Sequence, residues 1–127
     1  ESNRAPYLHM CLTLAEAVRE RAFTDHGLEN EVVEGKVDHT RVWWVQAETV
    51  IGFLNGYEEE PEKTEYLEAA EKEWAFIRDH VIDKRPGSEW FWEVDPEGNP
   101  YPDRPIVEPW KCPYHNGRMC MEVMKRC

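Results

Sequence analysis

Apolar residues recur at helical spacing in four stretches of the chain, and the first of these opens at Pro6. A proline suits the first turn of a helix because its missing N–H would be unpaired there. The spacing predicts a helix from Pro6 to about Ala22, ended by the sequence Asp25-His26-Gly27. Its single apolar stripe consists of Tyr7, Met10, Cys11, Leu14 and Val18.

The middle of the chain predicts two helices that follow each other closely. A broad apolar face runs from about Val42 to Tyr57, and another stripe extends from Thr64 to near Asp83. Thr64 is predicted to cap the later helix at its N-terminus. Because only the short acidic segment 58–61 separates them, the two helices are expected to pack as an antiparallel pair, the unit of helical toroids and α-solenoids.

Two segments depart from helical spacing. Residues 28–40 alternate around Glu34-Gly35, which favours a loop or a short hairpin. Residues 90–94 have the composition of a strand, 95–98 supply turn residues, and a proline-rich return follows. Asn116 is predicted to cap a last helix. The residues of that helix expected to face inward are Met119, Cys120, Val123, Met124 and Cys127.

These elements together predict an all-α protein built from antiparallel helix pairs, with a short β-hairpin in a long aromatic loop. With 41% hydrophobic and 12% aromatic residues, the chain can fill the core of one domain. Four helices with broad apolar faces do not obviously close a core by themselves. The pattern therefore suggests that a further part of the fold is missing.

Charge and hydropathy exclude several classes of function. The 127 residues carry 26 acidic against 15 basic side chains, a net charge of −11. Nucleic acid and anionic membranes require a basic face on the protein, so neither is expected as a partner. The longest apolar stretch, Val50 to Tyr57, is broken by Gly52 and Asn55, which excludes a membrane-spanning helix.

The four cysteines are too few and too scattered for a disulfide scaffold, so reduced thiols in a cytoplasmic protein are expected. A metal site is the alternative, with Cys112, His115, Cys120 and Cys127 as ligands. Two of these cysteines fall on the apolar stripe of the last helix, and the sequence has no compact Cys-x2-Cys pair. We therefore expect no metal.

The densest cluster of reactive groups is the segment 110–118, Trp-Lys-Cys-Pro-Tyr-His-Asn-Gly-Arg. It places His115 near a helix N-terminus, which favours a neutral imidazole that is able to accept a proton. Loops held by a scaffold commonly carry catalytic residues. The alternative is a structural histidine that hydrogen-bonds within a turn, and the residue types alone favour that interpretation.

A second candidate pair is Trp44 and Glu48, which lie four residues apart and share one face of the second helix. An indole beside a carboxylate suits a sugar, because the C–H face of the sugar stacks on the ring while its hydroxyl groups bind the acid. Core packing with a surface glutamate is the alternative, and the residue types alone again favour it. Trp90, Phe91 and Trp92 admit the same two interpretations.

Taken together, these segments resemble the N-acylglucosamine 2-epimerase / cellobiose 2-epimerase family over almost the whole chain. The final matching run is quite specific, and its Lys-Cys-Pro-Tyr-His-Asn form is closer to the cellobiose 2-epimerase branch. The runs that carry the resemblance are RVWWVQAE at 41–48, GFLN at 52–55, YLEAA at 66–70, WAFI at 74–77, EWFW at 89–92 and WKCPYHN at 110–116.

The resemblance implies that residues 1–127 form the C-terminal portion of an (α/α)6 barrel whose central cleft takes the reducing end of a sugar. It makes His115 one of two catalytic histidines, and it makes Trp44, Glu48 and Trp110 sugar-binding residues. Family members act in the cytoplasm and need no cofactor. For these residues the resemblance therefore favours the functional interpretation over the structural one.

The implied reaction inverts C2 of the reducing-end glucose of a β-1,4-linked disaccharide. Ring opening exposes an aldehyde, which acidifies the C2 proton because the charge delocalises into an enediolate. One imidazole cannot easily reach both faces of C2, so two bases are expected. The rival functions are N-acylglucosamine 2-epimerase, a mannose-type aldose–ketose isomerase, and a non-catalytic helical module that binds carbohydrate or protein.

The sequence departs from the family in two respects. It lacks the Gly-His-Asp-x-Glu stretch that carries the second histidine, and it lacks the sugar-binding arginine of the N-terminal half. The remaining histidines, His9, His26, His39 and His80, lack the context to replace the missing base. We therefore expect an incomplete fragment that is inactive alone and that self-associates or binds its missing N-terminal half through exposed apolar surface.

Overall fold

Most of the described chain is helical in the structure, a computed structural model that describes residues 4–126. The predicted helices are confirmed with small shifts at their ends, and the third continues into one π-helical turn. Across residues 4–126 the helices are α1 (Arg4–Arg21), α2 (Trp43–Glu59), α3 (Thr64–Phe76), the π-helical turn (Ile77–Val81) and α4 (Tyr114–Met124).

The predicted helix caps are wrong. Thr64 is the first residue of α3 rather than its cap, because the N-cap position falls on Lys63. Asn116 lies inside the first turn of α4, whose N-cap position is Pro113. The Asn116 side chain donates a hydrogen bond to Glu89 and caps no N–H group of its own helix. A long-range polar partner has therefore replaced the local cap.

Helices α2 and α3 form the predicted antiparallel pair. Near one end of the pair, Gly56 lies so close to the Tyr66 ring that a Cβ there would stand 3.2 Å from it. Near the other end, Gln46 and Phe76 both contact Gly27. The start of α2 therefore lies beside the end of α3, as the short connection between them requires.

Among residues 4–126, three short antiparallel strand pairs complete the fold. The hairpin around Glu34-Gly35 is confirmed, with Val32 opposite Val37, and both turn residues have positive φ. The strands are β1 (Phe23–Thr24) with β2 (Gly27–Leu28), β3 (Glu31–Val33) with β4 (Lys36–Asp38), and β5 (Arg41–Val42) with β6 (Glu93–Val94).

Of the strand predicted over residues 90–94 only Glu93–Val94 form one, and its main partner lies far away in sequence. The turn after β6 closes as expected, because the Asp95 N–H donates to the Asn99 carbonyl at 2.9 Å. The two residues of β6 pair with Arg41 and Val42, immediately before α2. This ladder ties the loop before α4 to the start of α2, so it determines how the two helix starts face each other.

The core lies between α2, α3 and the loop that contains β6, and α1 contributes little to it. Of the α1 residues, all within the described part of the chain, none is buried, and Tyr7 is 64% exposed. On α4 only Met119 of the apolar stripe is fully buried, whereas Cys120 and Met124 are exposed and Cys127 lies outside the described residues. The expectation that Cys120 and Met124 face inward is therefore wrong.

Gly27 occupies a position that only glycine fits. Its φ is +81°, and a Cβ there would lie 2.6 Å from Gln46 Oε1 and 2.9 Å from the Phe76 ring. We expect Gly27→Ala to lower the free energy of unfolding by roughly 2–4 kcal/mol, because backbone strain adds to overpacking. Urea denaturation measures this.

Gly35→Ala is the matched control for this prediction. Gly35 has a φ of +77° but no atom within 4 Å of an added Cβ, so this variant suffers the backbone strain alone. We expect it to cost about 1 kcal/mol. Equal destabilisation of the two variants would contradict the close packing around Gly27.

No helix within residues 4–126 is long and apolar enough to span a bilayer.

Candidate active site

Three of the four predicted site residues come together between the first turns of α2 and α4. Trp44 and Glu48 lie on successive turns of α2, and His115 is the second residue of α4. His115 Nδ1 lies 2.8 Å from Glu48 Oε1, although the two residues are 67 positions apart. The rings of Trp44 and His115 lie with their centroids 5.7 Å apart. A carboxylate and an indole therefore both contact the imidazole.

Arg118 is a site residue that sequence reasoning missed. It lies one helical turn after His115 and forms an ion pair with Oε2 of Glu48. Glu48 thus uses one oxygen for the imidazole and the other for the guanidinium group, which fixes its orientation. The three-residue spacing from His115 was the available signal, because residues three apart on a helix share a face.

The Glu48 contact determines what the imidazole is able to do. When Nδ1–H donates to the carboxylate, the lone pair lies on Nε2, which is then free to accept a proton. About a third of each side chain is exposed: 34% for His115, 29% for Glu48 and 35% for Arg118. The group is therefore partly shielded from water and still open to a ligand.

Two aromatic side chains, those of Trp44 and Tyr114, contact the imidazole. Trp44 is 43% exposed, and the exposed ring of Tyr114 meets the His115 ring edge-on at 5.1 Å. Sequence reasoning did not single out Tyr114. Trp110, the fourth predicted residue, lies in the preceding loop and is 84% exposed. Within residues 4–126 its ring stacks on none of the other three site residues.

For the aromatic segment 90–92, the structure decides between the two open interpretations in favour of packing. Trp90 is buried, and Trp92 packs on Trp43 with the ring centroids 5.0 Å apart. Phe91 is half-buried against the same core cluster. These side chains pack in the core next to Trp43, the first residue of α2.

An open groove of about 650 Å3 runs between α1 and α2 and reaches the site. Apolar side chains of α1, including Leu8, Leu14 and Val18, form one wall. Trp44 and Glu48 are part of the other wall. The candidate site is therefore one end of a longer, mostly apolar depression.

The combination of Cys112, His115, Cys120 and Cys127 is not assembled as a metal site in the described part of the chain. Cys112 and Cys120 are exposed and free, and Cys127 lies outside the described residues. Over positions 4–126, no three side chains of His, Cys, Asp or Glu come together as ligands.

Comparison with known proteins relates this chain to sugar epimerases. Residues 5–117 match the family model of N-acylglucosamine 2-epimerase (GlcNAc 2-epimerase). The chain is 51% identical over 115 residues to the cellobiose 2-epimerase of Dictyoglomus turgidum, covering 91% of this chain and 29% of that protein. It is 44% identical over 126 residues to the cellobiose 2-epimerase of Ruminococcus albus, covering 99% of this chain and 32% of that protein.

Solved structures give the same result. A sugar epimerase from a ruminal bacterium superposes with a TM-score of 0.91 at 45% identity, covering 95% of this chain and 31% of that one. Cellobiose 2-epimerase from Bacillus thermoamylovorans B4167 also superposes with a TM-score of 0.91, at 40% identity, covering 99% of this chain and 32% of that one. A D-mannose isomerase superposes with a TM-score of 0.84 at 26% identity, again covering 99% of this chain and 32% of that one.

The epimerase structures are (α/α)6 barrels, so the helices described above form part of such a barrel. The chain spans 29% to 32% of the length of the two relatives named above.

Proposed function

The chain belongs to the N-acylglucosamine 2-epimerase family, and we propose that it carries part of the active site of a cellobiose 2-epimerase. The substrate is a β-1,4-linked disaccharide, and the reaction inverts C2 of its reducing-end glucose. The observation that carries the proposal is the imidazole of His115, held by Glu48 at 2.8 Å beside the exposed ring of Trp44. The identity to relatives named as cellobiose 2-epimerases supports this choice of substrate.

His115 acts as a base toward the C2 proton of the ring-opened sugar. Nε2 takes the proton, and the electrons of the C–H bond move toward the aldehyde carbonyl, which becomes an enediolate. Glu48 accepts a hydrogen bond from the Nδ1–H group throughout the reaction. It thereby stabilises the imidazolium ion that forms, as a carboxylate does for other catalytic histidines. Arg118 keeps that carboxylate in place.

Trp44, Glu48 and Trp110 bind the sugar. The two exposed indoles offer flat apolar surfaces for the C–H face of a pyranose ring. Glu48 lies one helical turn after Trp44 on α2, and its remaining acceptor capacity is available to a hydroxyl group. The sugar then lies across the first turns of α2 and α4.

Inversion requires a second base, which returns a proton to the opposite face of C2. The four remaining histidines are poorly placed for this role: His9 is exposed on α1, and His26 is exposed in the turn between β1 and β2. His39 contacts Glu29, and His80 stacks on Phe76. Because the chain spans about a third of its relatives' length, we assign the second base to the remainder of an epimerase-length polypeptide. The same remainder is the partner that we propose for the exposed apolar groove beside α1.

A mannose-type isomerase is the second candidate, because a D-mannose isomerase shares the fold at 26% identity. It uses the same enediolate but returns the proton to C1 instead of C2. The product therefore distinguishes the two reactions, since epimerisation gives an aldose and isomerisation gives a ketose. Turnover of N-acetylglucosamine would instead indicate an N-acylglucosamine 2-epimerase.

A chimaera tests the proposed function directly. In it, this chain replaces the matching 126 residues of the Ruminococcus albus cellobiose 2-epimerase. Proton NMR in D2O should show deuterium exchange at C2 of cellobiose and formation of the mannose-containing epimer. The isolated chain, run in parallel, should exchange very little. The same assay is run with N-acetylglucosamine and with mannose. A folded chimaera that exchanges the C2 proton of none of these three sugars, beside an active parent enzyme, would contradict the proposal and favour a non-catalytic binding role.

A further inference from the structure

Glu89 is the one acidic side chain of the described residues that contacts both Lys111, in the loop before α4, and Asn116, in the first turn of α4. Its Oε2 binds the Nζ of Lys111, and its Oε1 accepts a hydrogen bond from Nδ2 of Asn116. Lys111 precedes His115 by four residues, and Asn116 directly follows it. One carboxylate therefore holds the chain on both sides of the candidate base.

Both groups that Glu89 binds are buried. Lys111 is 1% exposed and Asn116 is 7% exposed. A buried ammonium group requires an opposite charge, since removing the partner of a buried pair leaves an uncompensated charge. The Nζ of Lys111 also lies 5.5 Å from the centre of the Trp43 ring, next to Trp44 in sequence. The carboxylate thus links the loop before α4 to the start of α2.

Glu89 is itself fixed by its surroundings. Its carbonyl accepts a hydrogen bond from the Asp83 N–H at 3.1 Å, and the Asp83 side chain binds Arg85 and Ser88. The next residue, Trp90, is buried in the core. The backbone of Glu89 is therefore held by contacts that are independent of Lys111 and Asn116.

Apart from backbone hydrogen bonds between Glu108 and Lys111, the segment it holds makes few contacts. Trp110, Cys112 and Tyr114 are exposed, so packing does not fix their positions. In the described structure no side chain caps the first turn of α4, whose N-cap position is Pro113. The contacts of Glu89 orient this turn together with the contacts that His115 and Arg118 make to Glu48 and the buried side chain of Met119.

We propose that Glu89 is a positioning residue that acts through Lys111 and Asn116 to hold the His115 imidazole against Glu48. Calling His115 a base rests on the proposed function, but the positioning does not. Without Glu89 the first turn of α4 shifts, and Nδ1 of His115 loses its carboxylate partner. The imidazole then no longer presents the lone pair of Nε2 in a fixed direction.

The test uses this chain with 15N-labelled histidine and the variant Glu89→Gln. Glutamine keeps the size of the side chain but carries no charge, so the buried ammonium group of Lys111 loses its counter-charge. The 15N shifts of His115 report which ring nitrogen carries the proton. We expect the Nδ1–H tautomer, which the Glu48 contact favours, to fall by about twofold or more in the variant.

Glu93→Gln is the matched control. Glu93 lies in the same loop and binds Arg104 at 2.6 Å, but it contacts neither Lys111 nor Asn116 in the described structure. This variant should lose an ion pair and keep the tautomer of His115. A merely structural role of Glu89 would lower the melting temperature and leave the tautomer of the folded protein unchanged.

If Glu89→Gln does not fold, Asn116→Ala provides the test, because it removes one contact of Glu89 and leaves the charge of Lys111 paired. It should shift the tautomer in the same direction. An unchanged tautomer in the folded variant overturns the proposal. The measurement requires no turnover, so its outcome is separate from that of the C2–H exchange test.

Discussion

Replacing Glu73 by glutamine should remove a large pH dependence from the stability of the protein. Glu73 lies on α3 and is fully buried, and in residues 4–126 neither of its carboxylate oxygens has a hydrogen-bond partner. Burial raises the pKa of Glu73 to about 8, although the nearby Arg41 guanidinium lowers it in part. Arg41 is engaged elsewhere, since it binds Glu29 at 2.8 Å and two backbone carbonyls.

The sign of the effect follows from the two pKa values. In the unfolded chain the group titrates near 4.5, and in the folded protein near 8. Between these values the folded state keeps a proton that the unfolded state has released, so the free energy of unfolding falls as the pH rises. The fall amounts to roughly 5 kcal/mol across the whole window.

Urea denaturation at about pH 5 and about pH 8 measures this difference. The native chain should lose stability between the two conditions, whereas Glu73→Gln should lose much less and be the more stable protein at the higher pH. Asp83 does not confuse the result: hydrogen bonds from Arg85 and Ser88 lower its pKa, so its titration lies below its ordinary value of 3.8.

Glu68→Gln is the control, because Glu68 lies on the same helix but is exposed. It should keep the full pH dependence of the native chain. If Glu73→Gln and the native chain respond to pH alike, Glu73 has a hydrogen-bonding partner or water access that its burial does not indicate.

The largest expected effect on activity is that of His115→Ala in the chimaera. Loss of a general base typically lowers the rate by about 10²–10⁴-fold. The loss should fall on kcat with little change in KM for cellobiose, because the proton transfer occurs only in the transition state. Initial rates of C2–H exchange at several cellobiose concentrations measure both constants.

His9→Ala is the matched control, since His9 is exposed on α1 and away from the site residues of α2 and α4. It should exchange at the rate of the unmodified chimaera. If His115→Ala also keeps that rate, His115 is not the base. If it raises KM alone, the imidazole binds sugar without transferring a proton.

Local features were predictable from the sequence because they depend on neighbouring residues. Helical spacing located α2 and α3, and the short connection between them predicted the antiparallel pair. The Glu34-Gly35 hairpin followed from turn chemistry, because both residues take positive φ. Trp44 and Glu48 share a face because any two residues four apart on a helix do so.

Features that join distant segments required the tertiary structure. His115 and Glu48 are 67 positions apart, and nothing in the spacing of either segment indicates their contact. The same holds for Arg118 and for the pairing of β6 with β5. Asn116 shows why local rules failed: its sequence context suits a helix cap, but the half-buried carboxylate of Glu89, 27 residues earlier, binds its amide group.

The sequence alone thus determined the helices, the hairpin turn and, through its motifs, the family and the candidate residues. The tertiary structure decided which of these residues meet and which remain apart. The physical reason is that backbone hydrogen bonding and side-chain spacing act over a few residues, whereas the partners of Glu48 and Glu89 depend on how the loop around β6 packs against α2.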